Sequence, residues 1–369
     1  MSGLTISSAR FFGTLVLTGV LMGVLFALDM FLANTVKTES RTEAELLFHE
    51  GQRLLQQGDA GHAIDRFREA LTIARGERAY QLALADALLA ANKTSEAAAE
   101  TEQILTTDST NSRANLLLAR TLVRQGKVSQ AISYYHRAIY GHWDSDAASQ
   151  KLAVRWELVA LLARQSANQE LLSELLLLET EAGDKLEMRR RIAHLYLVAG
   201  FPERAAQMFR DLLRRNPVDA DAYFGRAEAE FSRANYRSAC SDFRNAAHLE
   251  PPDDDIRKRL NLCDEILTLD PSERRLSAEE RSRRSLKLLE LSLDSLTKCT
   301  AGSPSDALRS SIGRANQALK HSRRSLSPDA VESSLQLAEQ LWQKRTKQCG
   351  QPAAVGDQAL ALVLKKAAQ

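Results

Sequence analysis

A small residue recurs at a fixed interval along this chain. Alanines stand 34 residues apart at three successive positions, and the same interval returns further on after a shift of phase. The five positions are Ala63, Ala97, Ala131, Ala205 and Ala239. A fixed period of this length is typical of a solenoid, in which each unit buries its apolar face only against its neighbours. The period therefore predicts a fold that presents a binding surface.

Each period contains two helical stretches separated by a turn. In the first unit, residues 44–77, small and apolar residues keep helical spacing up to Gly58, which interrupts it, and resume that spacing from Ala63. The small residues allow the two helices to approach closely, and the larger Phe67 fills the space between them. About six such hairpins are expected, with an extra half-dozen residues around 146–151 shifting the phase before a weaker fourth unit.

Two later units carry the fullest version of the pattern. Their key residues are Ala193, Tyr196, Gly200, Ala205, Phe209 and Pro217, followed by Ala227, Ala239, Phe243, Ala246 and Pro251. This pattern resembles the tetratricopeptide repeat family over roughly 44–253, although the consensus Trp is missing. The resemblance implies an all-α superhelical solenoid that binds a protein or peptide partner in a concave groove, lined by the first helix of each hairpin.

The N-terminal segment adds a second constraint. An eighteen-residue run from Phe11 to Leu28 has no charge, which is long enough for a membrane span, and it lacks a convincing signal-peptide cleavage site. We therefore expect a tail at 1–10, a single-pass anchor at 11–33 and a polar tether at 34–43. Gly19 and Gly23 form a small-xxx-small pair suited to contact between two such helices, although glycine is also simply common in spans.

A different domain is expected after the solenoid. Residues 254–271 are interpreted as a capping helix and linker, and 272–369 as a small helical bundle that begins with a capping box of Ser277 and Glu280. The bundle contains 17 Lys and Arg against 10 Asp and Glu, a balance of +7, whereas 44–271 carry about −5. A basic bundle suits anionic lipid, nucleic acid or an acidic protein, but such charges commonly only solvate helix faces, and no nucleic-acid partner is expected.

The four cysteines have no metal-binding spacing. In a three-helix up-down-up bundle the first and third helices run parallel, so Cys299 and Cys349 lie at the same end and a disulfide between them is plausible. Cys240 and Cys263 are close enough for a second pair, although buried free cysteines are commoner. Either disulfide would indicate an oxidising compartment, so a periplasmic solenoid is expected, with the cytoplasmic orientation left open.

The family's inward offsets predict the groove residues of this chain. They are Arg113, Leu116, Arg120, Val123, Arg124, Trp156, Arg164, Arg190 and His194. Guanidinium groups grip carboxylates bidentately and an indole offers a flat apolar contact, so an acidic peptide or helix is one expected partner. The alternative is that these arginines are only solvated on a scaffold.

No motif of the sequence indicates catalysis, a metal or a cofactor, and the protein is not expected to be an enzyme. The predicted function is a membrane-anchored adaptor that recruits a protein in envelope protein assembly or quality control. Two alternatives stay open: a structural subunit of a larger membrane-associated assembly, with self-association, and a regulator of a separate envelope enzyme.

Overall fold

The structure is a computed structural model. It describes residues 5–273, 275–300, 306–322, 327–350 and 355–368, and within these ranges it leaves out the side chains of 5–18, 32–37, 306, 321, 322 and 355. The chain divides into two compact units, Met1–Leu161 (unit 1) and Leu162–Gln369 (unit 2), and each is described by itself.

Unit 1 is built from helical hairpins. Its helices are α1 (Thr5–Gln56), α2 (Ala60–Ile73), α3 (Arg78–Ala90), α4 (Thr94–Thr107), α5 (Ser112–Arg124), α6 (Val128–Tyr140) and most of α7 (Ala147–Arg164). In each hairpin the first helix packs against the second. The first helices α1, α3 and α5 also contact one another, because α3 touches both α1 and α5. The first helices therefore lie side by side and form one face of unit 1, which we call the inner face.

Unit 2 continues with hairpins and ends in a bundle. Its further helices are α8 (Asn168–Ala182), α9 (Leu186–Val198), α10 (Pro202–Arg215), α11 (Ala220–Ser232), α12 (Tyr236–Leu249), α13 (Asp254–Leu269), α14 (Ala278–Cys299), α15 (Asp306–Ser322), α16 (Pro328–Cys349) and α17 (Val355–Ala367). The predicted all-α solenoid is thus confirmed.

The 34-residue period is set by the turn inside each hairpin. One residue per turn has a positive φ, and the series is Gly58, Asn92, Gly126, Ser166, Gly200 and Ala234. In every case the following N–H donates to the carbonyl five residues back, as Lys127 does to Leu122 at 2.9 Å. This is the Schellman ending of a helix, which favours glycine because other residues are strained there. The longer step between Gly126 and Ser166 accommodates six extra residues.

Small residues are found where the helices approach most closely. Ala63 and Ala131 are fully buried, as the period predicted. A Cβ on Gly51 would lie 2.6 Å from the ring of Phe67, and one on Gly225 would lie 2.1 Å from the ring of Phe209. Each of these two glycines is therefore required by an aromatic ring of a neighbouring helix.

The C-terminal bundle begins largely as expected. Ser277 accepts the Glu280 N–H at 3.1 Å, but the Glu280 carboxylate bonds to Arg283 and Arg284 instead of completing the capping box. The sequence favours a second bundle helix that begins near Ser303 or Ser305, and both residues lie outside the described part of the chain. The sequence also favours a third helix that begins at Ser327 and Pro328, and α16 does begin there, with Ser327 as its cap and Pro328 in its first turn.

The last helix, α17, packs firmly on the rest of unit 2. Its buried face contains Ala359, Leu360, Val363 and Leu364. The apolar pattern of the sequence is weak at 358–366, but this face contacts α13, α14 and α16, so the segment is an integral part of the bundle.

Helix α1 changes the interpretation of the N-terminus. It continues without a break through the expected tether at 34–43 and includes the expected anchor at 11–33, of which residues 11–18, 32 and 33 have side chains outside the description. Among the described residues, no helix combines the length and the apolarity that crossing a bilayer requires. The single-pass membrane localisation is therefore wrong, and the envelope setting inferred from it is withdrawn. A Cβ on Gly19 or Gly23 would meet nothing within 4 Å, and contact between two chains there stays a prediction.

Candidate functional site

Helix α5 positions the residues predicted for the groove of unit 1. Asn111 caps it by accepting the Ala114 N–H at 2.9 Å, and one face of α5 is buried against its neighbours. The predicted side chains follow at helical spacing: Arg113, Leu116, Arg120, Val123 and Arg124, of which Leu116 is buried and the others are exposed or half-buried. They share a face of one helix, but their chemical surroundings differ.

Arg120 is already paired within the protein. Its guanidinium donates to both carboxylate oxygens of Glu157 on α7, at 3.0 and 2.5 Å, and the Tyr135 hydroxyl lies 3.5 Å from the same carboxylate. The hydrogen bond to Glu157 raises the pKa of Arg120. Because this bidentate pair satisfies the guanidinium, Arg120 does not offer a free positive charge to a ligand.

Arg124 has a structural bond as well. Its guanidinium donates to the Leu89 carbonyl at the end of α3, which ties α5 to the preceding hairpin. Trp156 is partly buried on α7, and Val123 is partly buried on α5. Arg124 therefore links two hairpins, and Val123 packs against buried apolar side chains of α5 and α6.

The predicted residues of unit 2 form an ion-pair network of their own. Arg190 on α9 donates to Asp219 at 2.6 Å and to Glu187 at 2.7 Å. His194 lies 3.0 Å from Asp221, and this hydrogen bond, together with the charge of Arg190, lowers the pKa of Asp221. Three carboxylates thus surround Arg190, which leaves little positive potential for an acidic ligand. Arg164, at the end of α7, is exposed.

Arg113 is the exception within α5. It is exposed, and among the residues that the structure describes its guanidinium makes no hydrogen bond or ion pair. It lines a pocket of about 340 Å³ on the inner face of unit 1. The other lining residues are Asp86, Asn111, Leu116, Leu117, Arg120, His142, Trp143, Asp144, Ser145 and Gln150.

The six extra residues lie at 141–146, between α6 and α7, and not around 146–151 as the change of phase predicted; they form one wall of this pocket. The loop is held to the start of α5 by two backbone bonds, from Ser112 to His142 at 3.0 Å and from His142 to Thr110 at 2.9 Å. A side chain at Gly141 would collide with the Thr110 carbonyl at 2.5 Å, so only glycine allows this approach. The Trp143 indole donates to the Ala138 carbonyl at 2.9 Å, which fixes the ring beside the pocket.

Sequence reasoning had missed His142 and Trp143. The change of phase located the insertion only approximately, at 146–151, although the aromatic Trp143 just before it was a usable signal. A loop that interrupts a regular solenoid cannot pack as part of a hairpin, so its side chains are available to line a surface.

The structure also joins the four cysteines in two pairs. Cys240 on α12 bonds to Cys263 on α13, with Cα atoms 5.5 Å apart, and both residues are fully buried. Cys299 and Cys349, at the C-terminal ends of α14 and α16, are bonded with Cα atoms 6.2 Å apart. These two helices run parallel, as the interpretation of the bundle required.

The hairpins of both units match a known repeat family in sequence. Two family models, both described as tetratricopeptide repeat, match the chain, one over 48–112 and 190–254 and the other over 88–153. These hairpins are tetratricopeptide-like. Tetratricopeptide repeats generally mediate protein or peptide binding, and proteins of this family are typically interaction scaffolds without enzymatic activity. No curated protein matches the chain in sequence.

Several solved tetratricopeptide structures are similar to this chain. YrrB, described as having an unusual peptide-binding site, is 18% identical over 52% of this chain and 94% of its own, with a TM-score of 0.40. The C-terminal part of a repeat protein from Cytophaga hutchinsonii is 13% identical over 66% of this chain and 95% of its own, with a TM-score of 0.44. The TPR2AB domain of yeast Sti1, in complex with pHSP90, is 15% identical over 83% of this chain and 99% of its own, with a TM-score of 0.30.

Proposed function

We propose that this protein is an adaptor without catalytic activity, and that the inner-face pocket of unit 1 binds an extended segment of a partner protein. The observation that carries the proposal is the contrast between two arginines on one helix. Arg120 is neutralised by Glu157, whereas Arg113 has no partner among the described residues and lines a mostly polar pocket that also contains the ring of Trp143. The unpaired guanidinium of Arg113 is suited to bind a ligand carboxylate through two hydrogen bonds.

The pocket favours a ligand of mixed character. The half-buried ring of Trp143 can cover an apolar side chain, and Arg113 can bind a carboxylate beside it. Asp86 and Asp144 line the same pocket and would repel a uniformly acidic segment. The expected ligand is therefore a peptide with one acidic residue next to an apolar one, which narrows the acidic partner predicted from sequence.

Peptide selection on the full chain tests this function. Ligands selected from a random library would be measured by fluorescence anisotropy against the wild type, Arg113→Gln and the control Arg53→Gln, which changes an exposed arginine of α1 outside the pocket. We expect Arg113→Gln to weaken binding about tenfold, equivalent to about 1.4 kcal/mol, and the control to bind as the wild type does.

Two results would contradict the proposal in different ways. A library that yields no ligand would oppose the adaptor function itself. Ligands that bind Arg113→Gln as tightly as the wild type would retain the function but exclude this pocket.

A further inference from the structure

A second groove lies in the C-terminal bundle, between α16 and α17. It has a volume of about 530 Å³, within the range of ligand pockets. Its lining residues are Glu339, Trp342, Gln343, Thr346, Lys347, Ala361, Leu364 and Lys365. None of these residues belongs to the inner face of unit 1, so the groove is a separate candidate surface.

Buried charges hold one wall of this groove at both ends. At the start of α17, Asp357 lies 3.6 Å from the guanidinium of Arg345, which is only 9% exposed. Near its other end, Lys366 donates to Asp270 at 2.7 Å, and Asp270 is 1% exposed. Breaking a buried pair leaves an uncompensated charge, so these contacts fix the position of α17. The groove is therefore preformed.

The floor of the groove is apolar and follows helical spacing. Trp342 and Leu364 are largely buried beneath it, and Ala361 is half-buried one turn before Leu364. The α16 wall extends from Glu339 to Lys347, a length of about 12 Å at 1.5 Å per residue. Two helical walls with an apolar floor match the geometry in which a third helix lies in a groove.

The rim of the groove is positively charged. Lys347 and Lys365 are both exposed, and neither ammonium forms an ion pair or hydrogen bond with any residue that the structure describes. The one acidic side chain of the lining, Glu339, accepts a hydrogen bond from Gln343 at 3.0 Å. The excess of positive charge over 272–369 has the same sign. A ligand with acidic residues on its flanks is complementary to this rim.

We propose that the α16/α17 groove docks an amphipathic helix of a partner protein. The apolar stripe of that helix covers Trp342, Ala361 and Leu364, and its acidic residues lie beside Lys347 and Lys365. This binding site is additional to the inner-face pocket and needs no contribution from it. The chain can then hold two partners at once, one on each unit.

Helical peptides of about 14 residues, long enough to fold on the surface, provide the test. A library with apolar residues at i, i+3, i+4 and i+7 and every charge allowed at the other positions would be selected on the full chain. Binding of the selected peptides would be measured to the wild type, Lys347→Glu, Lys365→Glu and the matched control Lys320→Glu, an exposed lysine of α15 outside the groove. Circular dichroism would show that each variant is folded.

We expect selection to enrich Asp and Glu, and each groove variant to weaken binding at least tenfold, while Lys320→Glu and Arg113→Gln bind as the wild type does. Peptides without acidic enrichment, or an equal loss in Lys320→Glu, would overturn the proposal. The proposal would also be overturned if anionic lipid vesicles bound through Lys347 and Lys365 while no selected peptide depended on these two lysines. Because Arg113→Gln is included, failure of this groove and failure of the inner-face pocket are distinguishable.

Discussion

The left-handed turn at Gly126 favours glycine over alanine. Gly126 has φ +74° and no atom within 4 Å of an added Cβ, so Gly126→Ala changes only the backbone energy. A left-handed conformation costs a residue with a side chain about 1–2 kcal/mol, and the loss of unfolded-state entropy returns about 0.4–1 kcal/mol of this. The net loss of stability should be about 1 kcal/mol.

The same turn in unit 2 supplies the reverse experiment. Ser166 occupies the equivalent position with φ +54°, so Ser166→Gly should raise the stability of its hairpin by about 1 kcal/mol. Gly313 stands within α15 with open space around it, and there Gly313→Ala should stabilise instead, because alanine is the better helix former.

Native-state hydrogen exchange, measured by mass spectrometry on the helices around each site, gives the free energy of local opening. Opposite signs for Gly126→Ala and Ser166→Gly are the expected result. If the two variants shift the opening free energy in the same direction, or if Gly126→Ala and Gly313→Ala behave alike, the argument from the left-handed turn is refuted.

Three further outcomes follow from single contacts. Gly225→Ala should lower the unfolding free energy by about 1–3 kcal/mol through its collision with Phe209, and Phe209→Leu should restore part of that loss in a double-mutant cycle. Arg120→Gln should cost only about 0.5–1 kcal/mol in urea unfolding, because the ion pair it breaks is partly exposed to water. The hydrogen bond with His194 lowers the pKa of Asp221. The ionised carboxylate therefore stabilises the folded protein fully above the ordinary aspartate pKa, and this stabilisation is lost as the pH falls through the lowered pKa. Between pH 7 and pH 3, the unfolding free energy of the Asp221→Asn variant, measured by urea titration, should therefore fall less than that of the wild type.

The period of the sequence predicted the hairpins because each turn depends on local residues. Gly58, Gly126 and Gly200 end helices through bonds that reach only five residues back. The partners of the predicted groove residues could not be read from the period, because Arg120 is bound by Glu157, 37 residues away on another hairpin. Repeat offsets identify which residues share a helix face, but they do not show which carboxylate approaches them.

The two disulfides lead to a last prediction about access. Thiol–disulfide exchange requires an attacking thiolate to reach a sulfur atom, and Cys240 and Cys263 are fully buried, whereas Cys349 is exposed. Limited dithiothreitol, alkylation and peptide mass spectrometry should therefore show Cys299 and Cys349 modified first in the native protein. This bond spans 50 residues and should stabilise the folded bundle by about 4 kcal/mol, so its reduction should also weaken the bundle. In urea, where the chain is unfolded, the Cys240–Cys263 and Cys299–Cys349 disulfides should be reduced to the same extent. Equal modification of all four cysteines in the native protein would contradict the assigned burial of the Cys240–Cys263 pair.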